Sequence, residues 1–502
     1  MPPPFKASPS EYNQHALFPS NIFMLLPEDH ECPVYKSLFE QIDTSALEDK
    51  YSYIGQNAYH PKLIVSILIY AYSRGVYSSR EIEKRCNEDL SFMLIAEKNC
   101  PNFRVLSDFR QDNTKFFHDC FKQTVKLALE LKLASLGHIS LDGSKFKANS
   151  SKHKAMSYKR LKEQEKRLSA EIDELVAIAT RCDEEENQAY REKTGYEIPE
   201  DLKHKEGRLE KIKAAKAALE EREESLYPGK KIEDKKQISF ADTDARIMGK
   251  KGNFDYRYNG QISVDADNQI IVGQHVSQHA NDTQEVTTAL DGLKEAAGKL
   301  PERMSLDNGY MSGGNLDSLN KETVDAYIAT NKGEKSHKET LDESDRKLVK
   351  ADFNYDEEQD YFTCPGEQQL RVVIEGKEGS KTYQGSSEGC NACSYQPRCC
   401  GSKKGEARRI KTDDKEGLRR AMNAKMEEEK SKEIYKERKV IVEPVFGQIK
   451  NRGFLGFSLR GKEKVAGEFS LVCATHNMKK IVGSMLKGLV RPEVEKMAIS
   501  QA

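Results

Sequence analysis

The sequence predicts an α/β protein in which a mixed sheet layered with helices follows an all-α segment and is interrupted by two insertions. Three observations lead there. Apolar residues recur at helical spacing from Leu63 to Phe121. Short alternating runs, Ile139-Ser-Leu141 and Met304-Ser-Leu306, each stop at an aspartate with a glycine close behind. Between them, Leu161, Leu168, Ile172, Leu175 and Ala179 fall seven, four, three and four apart, the spacing of a coiled-coil seam.

The elements follow in order. Residues 1–58 carry few periodic signals and read as an extended arm. Pro61 suits the first turn of a helix, with Leu63, Ile64, Ile67 and Leu68 on one face and Gly75 as its stop. Ser78 and Glu81 have capping-box spacing and open a second helix. A short helix over 90–97 and a long one over 104–133 complete a helical domain at 59–134. At His138 alternation begins, a short strand ending in Asp142-Gly143-Ser144. The seam at 152–235 is interrupted by Gly195 and Pro199 and resumes through Leu202, Leu209, Ile212, Leu219 and Leu226, an antiparallel hairpin inserted into the sheet. Strands at 260–265 and 269–277 share the turn Asp267-Asn268. A helix over 284–300, a strand at 304–306, another helix and a strand at 323–330 follow. A polar, cysteine-rich insertion spans 331–430, and helices over 434–452 and 463–487 close the main domain, 135–485, before a tail at 486–502.

Composition excludes some classes. A mean hydropathy of −0.74 and an apolar run, 63–72, only half the ~20 residues of a membrane span argue against a membrane protein. MPPPFKASPSEYNQ lacks the basic-then-apolar layout of a signal peptide, so the expected location is cytoplasmic. The net charge of −1 says little, but its distribution says more. Nine Lys/Arg stand against two Glu over 145–167, and five against one Glu over 444–464. Cys32, Cys86, Cys100, Cys120, Cys182 and Cys473 are scattered and read as small buried apolar residues. The other five gather as Cys364, Cys390-Asn-Ala-Cys393 and Cys399-Cys400. A C-x₂-C pair with two more cysteines suits tetrahedral Zn²⁺, through Cys364, Cys390, Cys393 and Cys399 with Cys400 in reserve. A second C-x₂-C pair is missing, so reduced loop cysteines are the other reading.

Three carboxylates carry the chemistry. Asp142 and Asp307 sit just past apolar strands, where α/β sheets bind ligands, although Asp-Gly alone also marks a turn. Glu443 lies in Tyr435-Lys-Glu-Arg438-Lys-Val-Ile-Val-Glu443-Pro-Val-Phe-Gly-Gln-Ile-Lys450, where Pro444 either begins a helix that Glu443 caps or kinks one there. Lys450, seven residues on, shares a helical face with Glu443. Asp265, Asp267 and Asp282 read as turn or surface residues.

Asp142-Gly-Ser-Lys, Asp307-Asn-Gly-Tyr310 and the Tyr435/Arg438/Glu443/Lys450 run resemble the three signatures of insertion-sequence DDE transposases, of the RNase H-like (retroviral-integrase) superfamily. Pro61 to Asn113 resembles that group's helical N-terminal domain. Asp242-Thr-Asp-Ala-Arg246 and Tyr258-Asn-Gly-Gln-Ile-Ser-Val-Asp265 resemble its second and third strands. Arg438 and Glu443 are separated by four residues where the best-known signature has three. The resemblance implies cleavage of element ends and strand transfer to target DNA, with two Mg²⁺ (or Mn²⁺) ions: Asp142 bridges both, and Asp307 and Glu443 each bind one. It implies DNA as partner (terminal repeats and target), a homodimer on DNA, and nucleoid association when bound. Lys145, Lys147, Lys154, Arg160, Arg438, Lys450, Arg452 and Arg460 are the expected DNA contacts. The alternatives are a transposase-derived DNA-binding protein that no longer cuts and an RNase H-like nuclease without strand transfer.

Overall fold

The computed structural model describes residues 21–52, 57–150, 155–189, 200–250, 253–330, 346–376, 379–400 and 406–489. The helical part starts earlier than expected. Within the supposed arm, α1 (Cys32–Phe39) and the single turn α2 (Ser45–Glu48) bury Cys32, Tyr35, Leu38, Phe39 and Leu47. Then come α3 (Pro61–Ser73), α4 (Ser79–Glu88), α5 (Leu90–Ile95), α6 (Phe103–Asp112) and α7 (Thr114–Glu130). Pro61 starts α3 as expected, with the His60 ring accepting from Lys62 N–H at 3.1 Å. The capping box at α4 does not form. Ser78 is the N-cap but its side chain makes no capping bond, and Glu81 pairs with Arg85 instead. The long helix expected over 104–133 breaks at Asn113, whose amide donates to Phe109 O at 2.9 Å.

The sheet begins with β1 (His138–Lys147). β2 (Ala155–Ser157), the helices α8 (Tyr158–Ala189) and α9 (Glu200–Leu226), and β3 (Gln237–Ser239) form the hairpin, clamped at its base by antiparallel β2–β3 pairing. Ion pairs Glu165–Lys216 and Glu171–Lys205 set α8 antiparallel to α9. Leu161, Leu168, Ile212 and Leu219 are buried in a core of their own, whereas Leu226 is exposed. Gly195 and Pro199, and the side chains of Leu175, Ala179 and Leu202, lie outside the described residues.

β4 (Arg246–Lys250), β5 (Asn253–Asp265), β6 (Ile271–Ser277), α10 (Val286–Ala297), β7 (Arg303–Leu306), α11 (Gly313–Lys321) and β8 (Asp325–Ile328) complete the main layer. Of the segment expected as a second strand, 242–245 lies in a turn, and β4 starts only at Arg246. The strand order is β4-β5-β1-β7-β8, with β6 also pairing with β5. β1 runs antiparallel to β5 and parallel to β7, so the sheet is mixed. β9 (Asn354–Asp356), β10 (Tyr361–Thr363), β11 (Gln369–Glu375), β12 (Ser380–Gln384), the short helices α12 (Ser387–Asn391) and α13 (Gln396–Cys399), and β13 (Arg409–Asp413) fold the cysteine-rich segment into a five-stranded sheet over its own small core.

α14 (Glu416–Glu427), α15 (Glu429–Ile441), α16 (Glu443–Asn451) and α17 (Lys462–Leu486) end the fold. The helix expected over 434–452 is two, because Pro444 in the first turn of α16 removes the N–H that would continue α15. α17 is buried along most of its length, against α7, α3 and β6. The Asn477 amide accepts from Ile271 N–H and donates to Ile271 O, both at 2.8 Å, which pins α17 across β6. The helical segment and the sheet thus share one core. Among the described residues, no helix is long and apolar enough to cross a membrane.

Candidate active site

Register brings the first two carboxylates together. Leu141 pairs with Leu306 at the last rung of the parallel β1–β7 ladder, so Asp142 and Asp307 occupy the next position on adjacent strands. Contrary to expectation, β1 does not end at Asp142; it continues beside β5 to Lys147. Asp142 accepts from Gly143 N–H at 2.8 Å, and Asp307 caps a single 3₁₀ turn by accepting from Gly309 N–H at 2.7 Å.

The third carboxylate arrives from the helical layer. α15 is moored to the sheet by Glu437, which meets the His138 ring at 2.9 Å, while the other ring nitrogen lies 3.1 Å from Ser305 Oγ. This mooring points Arg438 at the strand ends. Its Nη1 lies 3.6 Å from Asp142 Oδ2 and 3.7 Å from Glu443 Oε1, and its Nη2 lies 3.8 Å from Asp307 Oδ2. One guanidinium therefore holds all three carboxylates that the sequence singles out. The ion pairs are loose: Nε and Nη1 of this buried arginine make no hydrogen bond. Tyr435 also hydrogen-bonds it.

A fourth carboxylate, read from sequence as a turn or surface residue, stands at the site. Asp282 Oδ1 accepts from Asn259 at 2.7 Å and from Gln261 at 2.6 Å, with Lys145 Nζ 3.6 Å away. The loop behind it is fixed by Glu285, which His275, Ser277 and His279 all meet within 2.8 Å. Burial alone would raise the Glu285 carboxyl; these three partners hold it down to about 2. The two motif glycines leave room for different side chains. A Cβ on Gly143 would stand 2.3 Å from Gln261 Nε2 and 3.0 Å from Asp282 Oδ1. One on Gly309 would stand 2.9 Å from Asp307 Oδ1 and 3.4 Å from Asp282 Oδ2. These glycines are gaps through which a carboxylate and its amide cradle approach the strand ends. Asp265 is wholly buried, accepting from Ser135, Leu136 and Asp267 N–H.

So much negative charge has a measurable cost. Burial pushes the Asp142 carboxyl up to about 6, and Asp307 and Asp282 add to the rise against the pull of Arg438 and Gly143 N–H. Three carboxylates around a loosely bonded guanidinium are the kind of donor set a hard divalent cation takes. As they stand, the described residues contain no preassembled group of three His, Cys, Asp or Glu able to hold a metal. The donors fit in kind, and a cation already stands among three of them.

The expected DNA contacts scatter. Lys450 donates to Ser144 Oγ and lies over the Phe146 ring, and burial lowers its pKa while the Asp142 charge opposes the drop. Arg460 donates to Asn149 O, Lys147 and Arg160 are exposed, Arg452 lines a separate cavity, and Lys154 lies outside the described residues. Among the cysteines, Gly366 sits between Cys393 and Cys364, while Cys400 hydrogen-bonds Cys399 and Cys390.

Two known families match parts of the chain. A family model described as transposase DDE domain matches residues 363–482, which include Arg438, Glu443 and Lys450. Another, described as transposase domain (DUF772), matches residues 20–112 and so includes α1 and α2. Both matches support an insertion-sequence DDE transposase. No curated protein and no solved structure matches it. Asp142 and Asp307 lie outside the matched spans, so their place at this transposase's site rests on the geometry above.

The raised Asp142 carboxyl gives a pH signature. Between its ordinary value of 3.8 and about 6, the folded state binds more protons than the unfolded one, so ionisation destabilises the fold as pH rises. Without divalent ions, Asp142→Asn is expected to be the more stable protein at pH 7.5, by on the order of 2 kcal/mol. The advantage should vanish by pH 4. Melting curves across that range check it; a pH-independent difference would mean that the carboxyl is not strained.

Proposed function

We propose that this transposase cleaves the ends of its element and joins them to target DNA, with Asp142, Asp307 and Glu443 as its catalytic carboxylates. The observation that carries the reading is the convergence of these three side chains, from β1, β7 and α16, on Arg438. Asp142 would be shared by a pair of Mg²⁺ or Mn²⁺ ions, with Asp307 and Glu443 each holding one. Two such ions, when bound, activate the attacking oxygen and stabilise the leaving oxygen of an in-line displacement at phosphorus. Arg438 offsets the carboxylate charge. Lys450, on the Glu443 helix and beside Ser144, is placed to meet a DNA phosphate near the scissile bond. The hairpin, with a core separate from the main one, would contribute to DNA contact or to a homodimer on DNA.

The cysteine sheet has a structural role in this reading. Cys364, Cys390, Cys393 and Cys399 would hold one Zn²⁺, with Cys400 in reserve. Support comes from Gly366, where a Cβ would stand 2.8 Å from Cys393 Sγ and 3.7 Å from Cys364 Sγ, and from the N–H of Gln368 pointing at Cys364 Sγ at 3.2 Å, an arrangement that suits a thiolate ligand. Elemental analysis of protein purified without chelators should give about one zinc per chain; zinc-free, folded protein would overturn it.

The active-site reading is tested with purified Asp142→Asn, Asp307→Asn and Glu443→Gln proteins on labelled DNA bearing the element ends and Mg²⁺. Each substitution is expected to reduce nicking and joining to background while DNA affinity stays within about twofold, since none of the three is a phosphate contact. Wild-type cleavage by the Asp142 variant would refute the assignment. A wild-type protein that binds the ends and never cuts would favour the DNA-binding alternative.

A further inference from the structure

Glu443 opens α16 at the active site; at the other end of this helix lies a second feature. A cavity of about 620 Å³ opens there between the β5–β6 turn and α17. Arg452, Lys479, Lys480 and Lys487 line it, together with Gln269 and Gln448. Among the described residues, none of the four cations pairs with a carboxylate. Asp267 is also in the lining, and its N–H donates to Asp265 Oδ1 at 3.0 Å.

The cations are held by neutral acceptors. Lys480 Nζ donates to Gln269 Oε1 at 2.9 Å, and Lys479 Nζ reaches Ser73 O at 3.4 Å. Arg452 donates to Gln448 O at 3.0 Å and to the His476 ring at 3.1 Å. That ring is fully buried and kept neutral, its pKa driven down to about 3 by burial, and its other nitrogen donates to Gln269 O at 2.9 Å. It orients Arg452 without adding charge. Burial, and then the charge of Arg452, lower both Lys479 and Lys480. Helix dipoles account for part of this, because Arg452 follows the end of α16 and Lys487 the end of α17. Lys479 and Lys480 stand about two turns before that end, where the dipole offers little.

A half-buried set of cations that repel one another, anchored only by neutral groups, is built for an anion. Its span narrows the choice. From Lys479 to Lys487 is about 12 Å along the helix, more than a single phosphate covers. The cleft is open, and Lys479 and Lys487 are exposed at its mouth. About 13 Å of α16 separates it from Glu443, so an anion here is not the reacting phosphate. We propose that this cleft seats successive backbone phosphates of nucleic acid, remote from the cleavage site and without regard to sequence. The choice of nucleic acid over another polyanion rests on the function proposed above.

The test is fluorescence anisotropy of labelled duplex DNA, of element-end and of unrelated sequence, titrated at several salt concentrations with wild type, Lys480→Ala, Lys487→Ala and the double variant. Each lysine removed is expected to weaken binding equally for both sequences and to reduce the slope of log affinity against log salt by about one. Melting temperature should stay level or rise as repulsion is relieved, and cleavage at saturating DNA should be unchanged. Unaltered affinity and slope in the double variant would overturn the proposal. So would inorganic phosphate or a mononucleotide that stabilises wild type but not the double variant at concentrations too low to screen DNA, since the cleft would then be a small-anion site. The binding readout does not depend on catalysis. A protein that never cuts, yet loses salt dependence with these lysines, would sink the proposed cleavage and leave this cleft standing.

Discussion

Parallel strands that share a register deliver their C-terminal residues to the same place, and the pairing of Leu141 with Leu306 does so for Asp142 and Asp307. A slip of one residue would turn one of the two carboxylates to the opposite face of the sheet. Much of the remaining architecture serves to keep that register. Ile139, Leu141, Met304 and Leu306 are all fully buried in the main core. Ser140 and Ser305 meet at 2.7 Å across the same ladder, and His138 ties it to α15. Because α15 is tied there, Arg438 reaches the strand ends, and because Pro444 breaks the helix next, Glu443 turns back toward them.

The electrostatics follow from this geometry. Asp142 is the most buried of the three and carries the cost of its neighbours, hence its raised carboxyl. Glu443 is more than half exposed, which leaves it free to adjust. Asp282 increases the charge from the other face of β1. It is held so firmly by Asn259, Gln261 and the Glu285 cluster that it acts as a fixed part of the field. Arg438 offsets this charge with contacts too long to be hydrogen bonds. A dication offers more charge in less space than a guanidinium and demands the same oxygen ligands.

What the sequence disclosed and what it hid have physical reasons. Asp142, Asp307 and Glu443 were legible because strand ends and a proline break leave local marks. The seam of the hairpin was legible because heptads are periodic. Asp282 was not: it lies in a largely polar loop, and its partners Asn259 and Gln261 are neighbours only in the folded chain. The glycine at 143 was visible, but its cause is the Gln261, Asn259 and Asp282 side chains that fill the space a Cβ would take, and that is tertiary information. Cys32, Tyr35 and Phe39 had helical spacing, yet α1 is only eight residues long and gains its stability from packing. The strands β9 to β13 are short, and their core was hidden within a polar stretch.

In the proposed mechanism Arg438 stands where divalent cations would bind. Diffraction from crystals soaked in Mn²⁺, with data at a wavelength that reveals manganese by anomalous scattering, tests it directly. Anomalous density is expected among the oxygens of Asp142, Asp307 and Glu443, with the Arg438 guanidinium displaced from their midst. A guanidinium still in place between the carboxylates, with no manganese signal there at concentrations that support cleavage, would contradict it.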